Sequence, residues 1–371
     1  MIKILLTSDI HLGSEIEKLS VPENYRLKTF KKLSYLAKSH DLFLIAGDLF
    51  HNNGITEKNM EFVAGEFARL RESGVEIIYS LGDHESGTDP SLLSGLNASK
   101  IFYESDDISP YRFSKDNQDV FIYGLAATTK RNVSEIKKES DNGFHLGLFH
   151  ADIYLNEESK ATKISMIKKE DIILSNLDFY ALGHNHQFKL FKSSGRYIGA
   201  YPGSPEAVTI DEKGDRYALS IIINNDEIYQ IKRLTVNSLK LDNLVFDCSS
   251  ANDLNPLLNI LKDKQSGDTI IKILLTGKRT FKLDQAEIEK IKENYLDIFI
   301  EDKSSPAINV FANEFADEES LRGEFFSILC RKITNNEVPP DIDVNILSEL
   351  INKLSNSGVY TLEDLCNYWN A

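Results

Sequence analysis

Five short polar loops hold most of the residues in this chain that could bind a metal ion. They contain Asp9 and His11 (DIH), Asp48 and His51 (GDLFH), Asp83 and His84 (GDHE), His150 (LFHAD), and His184 and His186 (GHNH). Six of the eight histidines lie in these loops, and only His40 and His145 lie outside. Three carboxylates with several imidazoles and no thiolate favour Mn2+, Fe2+ or Zn2+ over a soft-metal site. A carboxylate set between two groups of ligands can bridge two ions about 3.5–4 Å apart, an arrangement suited to in-line displacement at phosphorus. One such loop carries little weight, because D-x-H is common and Gly-Asp after a strand is often only a turn. The series is specific because each loop follows an apolar run. His40, expected to end a helix where a cation suits the dipole, and His145, within a strand, read as structural.

Those apolar runs must be strands that end at a shared edge. Residues 2–6, 42–46, 75–81, 120–125, 144–149 and 179–182 read as strands, and 42–46 is apolar throughout, as in a strand buried on both faces. Helical spacing covers 22–38 (Leu27, Phe30, Leu33, Leu36, Ala37), with Pro22 near its first turn. It covers 56–72 as well (Met60, Val63, Ala64, Phe67, Leu70), with Gly74 past its end. Strand C-termini of an α/β sheet converge on one edge, so the five loops can meet in space. Residues 197–200, 217–223 and 227–234 alternate in the manner of antiparallel strands. Beyond about residue 236 the pattern changes to a small α+β unit, with strands at 244–248, 269–275 and 296–300 and helices at 253–262 and 284–294. A helical tail follows at 317–333, 343–354 and 362–369, the last opening on Thr361 and Asp364, a variant of the capping box. The expected domains are 1–235, 236–304 and 305–371.

Composition narrows the function. The 371 residues predict two or three domains, and 42% hydrophobic with 27% charged residues describes an ordinary globular chain, not a disordered one. With 42 basic and 57 acidic residues the net charge is −15. That excludes a generic binder that coats DNA phosphates with lysine, though not a local nucleic-acid site. Residues 301–371 hold 5 basic and 13 acidic residues, a net of −8, so a polyanion is not expected to bind there. Cys248, Cys330 and Cys366 match no metal spacing and suggest a reducing compartment. The apolar start of the chain carries Asp9 and His11 where a signal peptide needs small residues for cleavage. No stretch approaches the roughly 18 apolar residues of a membrane helix. The expected location is cytoplasmic, away from membranes.

The ordered series DIH, GDLFH, GDHE, His150 and GHNH resembles the signature of the calcineurin-like metallophosphoesterases. TSDIHLG (7–13), GDLFH with His51, and YPGSPEA (201–207) resemble more specifically the SbcD-type DNA repair nucleases, prokaryotic relatives of the eukaryotic double-strand-break nuclease subunit. The motifs span residues 9–207. IIKILLTG (270–277) is similar, more weakly, to that family's capping domain, and the tail to its ATPase-docking helices. The resemblance implies an α/β fold, a four-layer α/β/β/α sandwich, with a small α+β capping domain and a C-terminal helical tail. It implies two divalent metal ions, with Mn2+ favoured. The family pattern puts Asp9, His11, Asp48 and His186 around the first ion. Asp48 would bridge to the second, which would take Asp83, His150 and His184. His84 would sit beside the scissile phosphate and His51 would orient the substrate, while a hydroxide activated by both ions attacks in line. The implied partners are a DNA substrate, an SbcC-type coiled-coil ATPase engaged through the C-terminal helices, and a second copy of the chain.

One position departs from the family, which has Asn (GNHD) where this chain has Asp83. A third carboxylate leaves less positive charge for a phosphodiester anion. Normal activity, a changed metal preference and a weakened nuclease all stay open, and the intact remainder of the motif favours an active enzyme. Two other functions are open: a small-molecule phosphodiesterase or phosphatase using the same site, and a scaffold for the ATPase. His51, YPGSPEA and the second domain lean toward DNA. In the tail, Leu321, Phe325, Phe326, Ile328, Leu329 and Ile333 form an apolar stripe that packs on its own domain or docks on the base of a coiled coil.

Overall fold

The computed structural model describes residues 1–16, 19, 21, 24–103, 108–129, 131–154, 166–264, 266–307, 310, 316, 321–335 and 337. Pro22, Cys366 and the helices expected at 343–354 and 362–369 lie outside them. The chain divides into two compact units, Met1–Leu241 and Asp242–Ala371.

The first unit begins with a strand–helix series: β1 (Ile2–Thr7), α1 (Tyr25–Ala37), β2 (Leu42–Ala46), α2 (Glu57–Glu72), β3 (Glu76–Ser80), α3 (Pro90–Ser94) and β4 (Lys100–Phe102). Strands follow at β5 (Tyr111–Lys115), β6 (Gln118–Leu125), β7 (Phe144–His150), β8 (Asp152–Tyr154) and β9 (Met166–Lys168). After α4 (Lys169–Ser175) come β10 (Phe179–Gly183), β11 (Lys189–Ser193), β12 (Arg196–Tyr201), β13 (Tyr217–Asn224) and β14 (Glu227–Thr235). Two six-stranded sheets result, in the orders β14-β13-β1-β2-β3-β4 and β11-β12-β10-β7-β6-β5. The chemistry-bearing strands β1, β2 and β3 pair in parallel in one sheet, as do β7 and β10 in the other.

The period of two along a strand decides which side chains lie between the sheets. Ile2, Ile4, Leu6, Leu42, Leu44 and Ile78 of one sheet meet Val120, Ile122, Leu146, Leu148, Phe179 and Ala181 of the other. The alternate residues Leu5, Phe43, Ile45, Ile77 and Tyr79 face Phe30 and Leu33 of α1 and Val63 and Phe67 of α2. On the far side Phe121, Tyr123, Leu125, Tyr180 and Leu182 pack with Val133, Ile136 and Ile172. This is the four-layer α/β/β/α sandwich. It also explains why 42–46 reads as continuously apolar: β2 is buried on both faces.

Several details differ from the sequence reading, among them the short helices α3 and α4 and the ladder between Lys278–Arg279 and Ser305–Pro306, which it did not include. Residues 197–200 read as antiparallel, yet β12 runs parallel to β10 and antiparallel only to β11. The strands β4, β5, β8, β9 and β11 were not legible, because they are short and, as in Tyr111–Lys115 and Lys189–Ser193, contain no fully buried residue.

In the second unit a three-stranded sheet has the order β15 (Lys240–Asp247), β16 (Ser266–Thr276) and β18 (Tyr295–Asp302), and a two-residue ladder joins β17 (Lys278–Arg279) to β19 (Ser305–Pro306). Its core joins Leu257 and Leu261 of α5 (Asn255–Asp263) and Ile288 and Ile291 of α6 (Gln285–Lys292) to Ile271, Ile273 and Ile298 of the sheet. A further helix, Leu321–Thr334, buries Phe326 and Leu329 and leaves Phe325 exposed. Among the described residues no helix is long and apolar enough to cross a membrane.

Glu206, from the YPGSPEA segment, is buried and ties α1 to the chain beyond β14. It accepts hydrogen bonds from the Thr29 hydroxyl and from the N–H groups of Ser238 and Leu239. Burial pushes its carboxyl up to about 7 despite those donors, and Oε2 has no hydrogen-bond partner among the described residues. A raised folded-state pKa means that this group's contribution is most favourable below about pH 4.5 and is lost as pH rises through 7. Glu206→Gln should therefore match the wild type near pH 4.5 and exceed it at pH 8, by up to about 3 kcal/mol. Urea unfolding of both proteins at the two pH values checks this; equal stability at pH 8 would refute it.

Candidate functional site

The five loops expected to converge do so at the C-terminal ends of β1, β2, β3, β7 and β10. Backbone hydrogen bonds zip the first two together: Asp9 N–H donates to Gly47 O (3.1 Å), His11 N–H to Asp48 O (2.9 Å) and His51 N–H to Leu12 O (2.9 Å). The fifth loop is hung on the first, because His184 N–H donates to both Asp9 carboxylate oxygens, at 3.0 and 3.2 Å. The third is hung on the second through His84 N–H, which donates to Asp48 Oδ1 at 3.1 Å.

The turns are tight enough to put non-glycine residues in the left-handed region: Asp9, His11, Asp48 and His184 all have positive φ, between 48° and 91°. Asp tolerates this region better than most residues because its short polar side chain can bond locally, and Asp9 accepts from the Ser8 hydroxyl. Glycine is required where loops touch. A Cβ on Gly47, itself at φ +82°, would lie 2.1 Å from His150 Nδ1, and one on Gly82 would lie 2.0 Å from Asp48 Oδ1.

All nine residues singled out in the sequence come together. The ligand atoms of Asp9, His11 and His186 lie within 4.8 Å of one another, as do those of Asp83, His150 and His184. Between the two sets stands Asp48, whose Oδ2 is 3.6 Å from His11 Nε2 and 3.4 Å from His150 Nε2. His84 Nε2 is 4.0 Å from the same oxygen, and His51 Nδ1 is 3.4 Å from His11 Nδ1. His40 and His145 are elsewhere. His40 is bonded to Leu36 O and Ser220 Oγ, and His145 is stacked on Phe121 and bonded to the Tyr123 hydroxyl.

The donor set fits divalent cations. Burial, reinforced by Glu85, Asp9 and Asp83, pushes the Asp48 carboxyl up, with the His150 charge opposing. His150 is itself driven up against its burial by Asp48, Asp83 and Asp9. Asp83 is held well below the usual carboxylate range; burial opposes this, but hydrogen bonds from His150 and His184 prevail. So much buried negative charge needs compensating positive charge, and hard oxygen and imidazole donors are what a divalent ion would meet here. His84 Nδ1 is buried with no hydrogen-bond partner among the described residues.

Several supporting residues escaped the sequence reading. Glu85, fully buried, accepts from Phe50 N–H (2.7 Å), Gly82 N–H (2.9 Å) and Asp48 N–H (3.2 Å), tying the second loop to the third. It was legible only as the last letter of GDHE. Arg26 of α1, also buried, donates to Ile10 O, Ser14 O and Ala207 O, fastening the first loop to YPGSPEA. In that segment Tyr201 donates to Ala151 O and accepts from Ile153 N–H on the strand after His150, and Ser204 N–H donates to His186 O. YPGSPEA, read from sequence as leaning toward DNA, is thus occupied in holding the metal loops. Asp152 stands 3.7 Å from His184 Nε2.

A sandwich whose sheets end in clustered aspartates and histidines defines a class, the metal-dependent phosphoesterases. The family model for calcineurin-like phosphoesterases matches residues 2–223, and the chain belongs to that family. It is 25% identical over 292 residues to a Bacillus subtilis (strain 168) protein described as the uncharacterized metallophosphoesterase YhaO, over 73% of this chain and 70% of that one. It is 26% identical over 303 residues to the DNA double-strand break repair protein Mre11 of Sulfurisphaera tokodaii, over 74% of each chain.

Glu85 yields a prediction. Gln at this position offers one acceptor oxygen where three buried N–H groups need two, and it turns an NH2 toward the others. Glu85→Gln should lower stability by about 2–4 kcal/mol, measured by urea unfolding. A loss below about 0.5 kcal/mol would show that the two loops hold without it.

Proposed function

We propose that this protein is an SbcD-type nuclease that hydrolyses phosphodiester bonds of DNA with two divalent ions, and that the ions are Mn2+. The observation that carries the reading is Asp48: one buried carboxylate between two three-residue donor sets, with His84 beside it. In this reading Asp9, His11 and His186 with Asp48 hold the first ion, and Asp83, His150 and His184 with Asp48 hold the second. When bound, such ions neutralise charge on phosphoryl oxygens and lower the pKa of the attacking water. The protein's own part is to fix the ions and place the phosphate. His84, about a quarter exposed, presents its imidazole to the scissile phosphate, where it stabilises charge or delivers a proton to the leaving oxygen. His51, at the rim beside His11, orients the substrate.

DNA is favoured over a small phosphodiester because similarity to a protein named for double-strand break repair extends past the sandwich, across 74% of this chain. Residues 236–304 would serve as the capping domain, in a cytoplasmic enzyme. The helix Leu321–Thr334, exposing Phe325 in an acidic segment, would dock on a coiled-coil ATPase of the SbcC type. A homodimer is also expected.

Purified protein with Mn2+ should degrade linear double-stranded DNA and cleave bis-p-nitrophenyl phosphate, and His84→Ala should lower both rates at least about 100-fold. Cleavage of the small ester alone would point to a small-molecule phosphodiesterase. Cleavage of neither, with metal bound, would point to a scaffold, the outcome that Asp83 favours by reducing the site's positive charge. Asp83→Asn should keep or raise Mn2+-dependent hydrolysis; a metal-loaded but inactive variant would remove Asp83 from the ligand role. Phe325→Asp should leave ester hydrolysis unchanged and weaken co-purification with the coiled-coil ATPase, and unchanged co-purification would dismiss docking through this helix.

A further inference from the structure

One histidine of the first donor set is gripped by a carboxylate that belongs to none of the motifs. His186 Nδ1 lies 2.9 Å from Glu212 Oε1. Glu212 is held in turn, because Arg216 Nη2 and Val208 N–H (3.1 Å) donate to its other oxygen. Arg216 Nη2 also donates to Ser204 Oγ at 2.7 Å, and Ser204 N–H donates to His186 O at 3.2 Å. One loop therefore fixes both the ring and the backbone of His186. An ionised carboxylate can only accept, so Nδ1 carries a proton, and in the neutral ring that a metal ion requires Nε2 offers its lone pair. That Nε2 faces the first donor set, 3.3 Å from His11 Nε2 and 3.9 Å from Asp9 Oδ1.

The second donor set is built differently. His150 Nδ1 meets a neutral acceptor, Ala46 O, at 3.0 Å. His184 Nε2 is 3.7 Å from Asp152, too far for a hydrogen bond. Outside the donor sets themselves, a carboxylate at hydrogen-bond distance supports a histidine of the first set only, among the described residues.

We propose that Glu212 is a positioning residue that fixes the Nδ1–H tautomer of His186 and selectively strengthens the first ion's site. The proposal rests on the two-ion reading above. Partners of this kind are worth about 10–100-fold in metal affinity. The test uses the full chain and two readouts. In metal-free protein, imidazole 15N shifts should show His186 protonated at Nδ1, moving toward the Nε2–H form in Glu212→Ala. In calorimetric Mn2+ titrations, Glu212→Ala should weaken one of two ions about 10–100-fold and leave the other within about threefold. Glu212→Gln, which keeps an acceptor, should lose less on the same ion. Arg216→Met, which keeps the Glu212–His186 bond, should retain the tautomer. An unchanged tautomer in Glu212→Ala, or equal weakening of both ions, would overturn the proposal. A wild type that binds fewer than two ions but shows the expected tautomer shift would overturn the two-ion reading and leave Glu212's hold on His186 standing.

Discussion

The structure turns on one electrostatic constraint: Asp9 and Asp48 are buried, with the half-buried Asp83 beside them. Carboxylates so placed repel one another, and water cannot screen them as it would at the surface. The cluster persists because backbone donors grip it from behind, through His184 N–H on Asp9 and His84 N–H on Asp48. The forward oxygens are left to face imidazoles. Each backbone donor belongs to a different loop, so the charges that repel one another also cross-link the strands that carry them.

Holding charges this way constrains the backbone. Asp9, His11, Asp48 and His184 are in the left-handed region, which is costly for residues other than glycine, of order 1 kcal/mol or more apiece. Such turns last only if the surroundings over-determine them. Here that role falls to Glu85 between the second and third loops, Arg26 behind the first, and Tyr201 and Ser204 behind the fourth and fifth. Behind these sits the core between the sheets, which fixes where each strand ends.

YPGSPEA shows how a motif can be noticed for one reason and prove to serve another. Read as a string, it resembled the SbcD-type nucleases and leaned the reading toward DNA. In the fold its Tyr, Ser and Glu side chains are buried and engaged inward, and Gly203, at φ +81°, lies where a Cβ would come 2.7 Å from His186 O. Its work is to hold two metal loops and α1 in register. The overall acidity sharpens similarly: part of the −15 is buried charge that metal ions would offset, and −8 of it belongs to residues 301–371.

The sequence by itself determined the main buried strands and the two long helices of the first unit and nine residues that would meet, while the sandwich was implied by a family resemblance. The elements and the meeting of their loops follow from local rules, because apolar periodicity specifies an element and a polar loop after a strand specifies an edge. Residue type alone marks oxygen and imidazole donors. Only the tertiary structure decided that β12 runs parallel to β10, and that Glu85, Arg26 and Glu212 support the site. Glu212 stands 26 residues from the histidine it grips, and Arg26 lies 181 residues from the carbonyl of Ala207. No periodicity or spacing links such pairs. A hydrogen bond between distant segments depends on how sheets and loops pack, and that is settled only when the whole chain has folded.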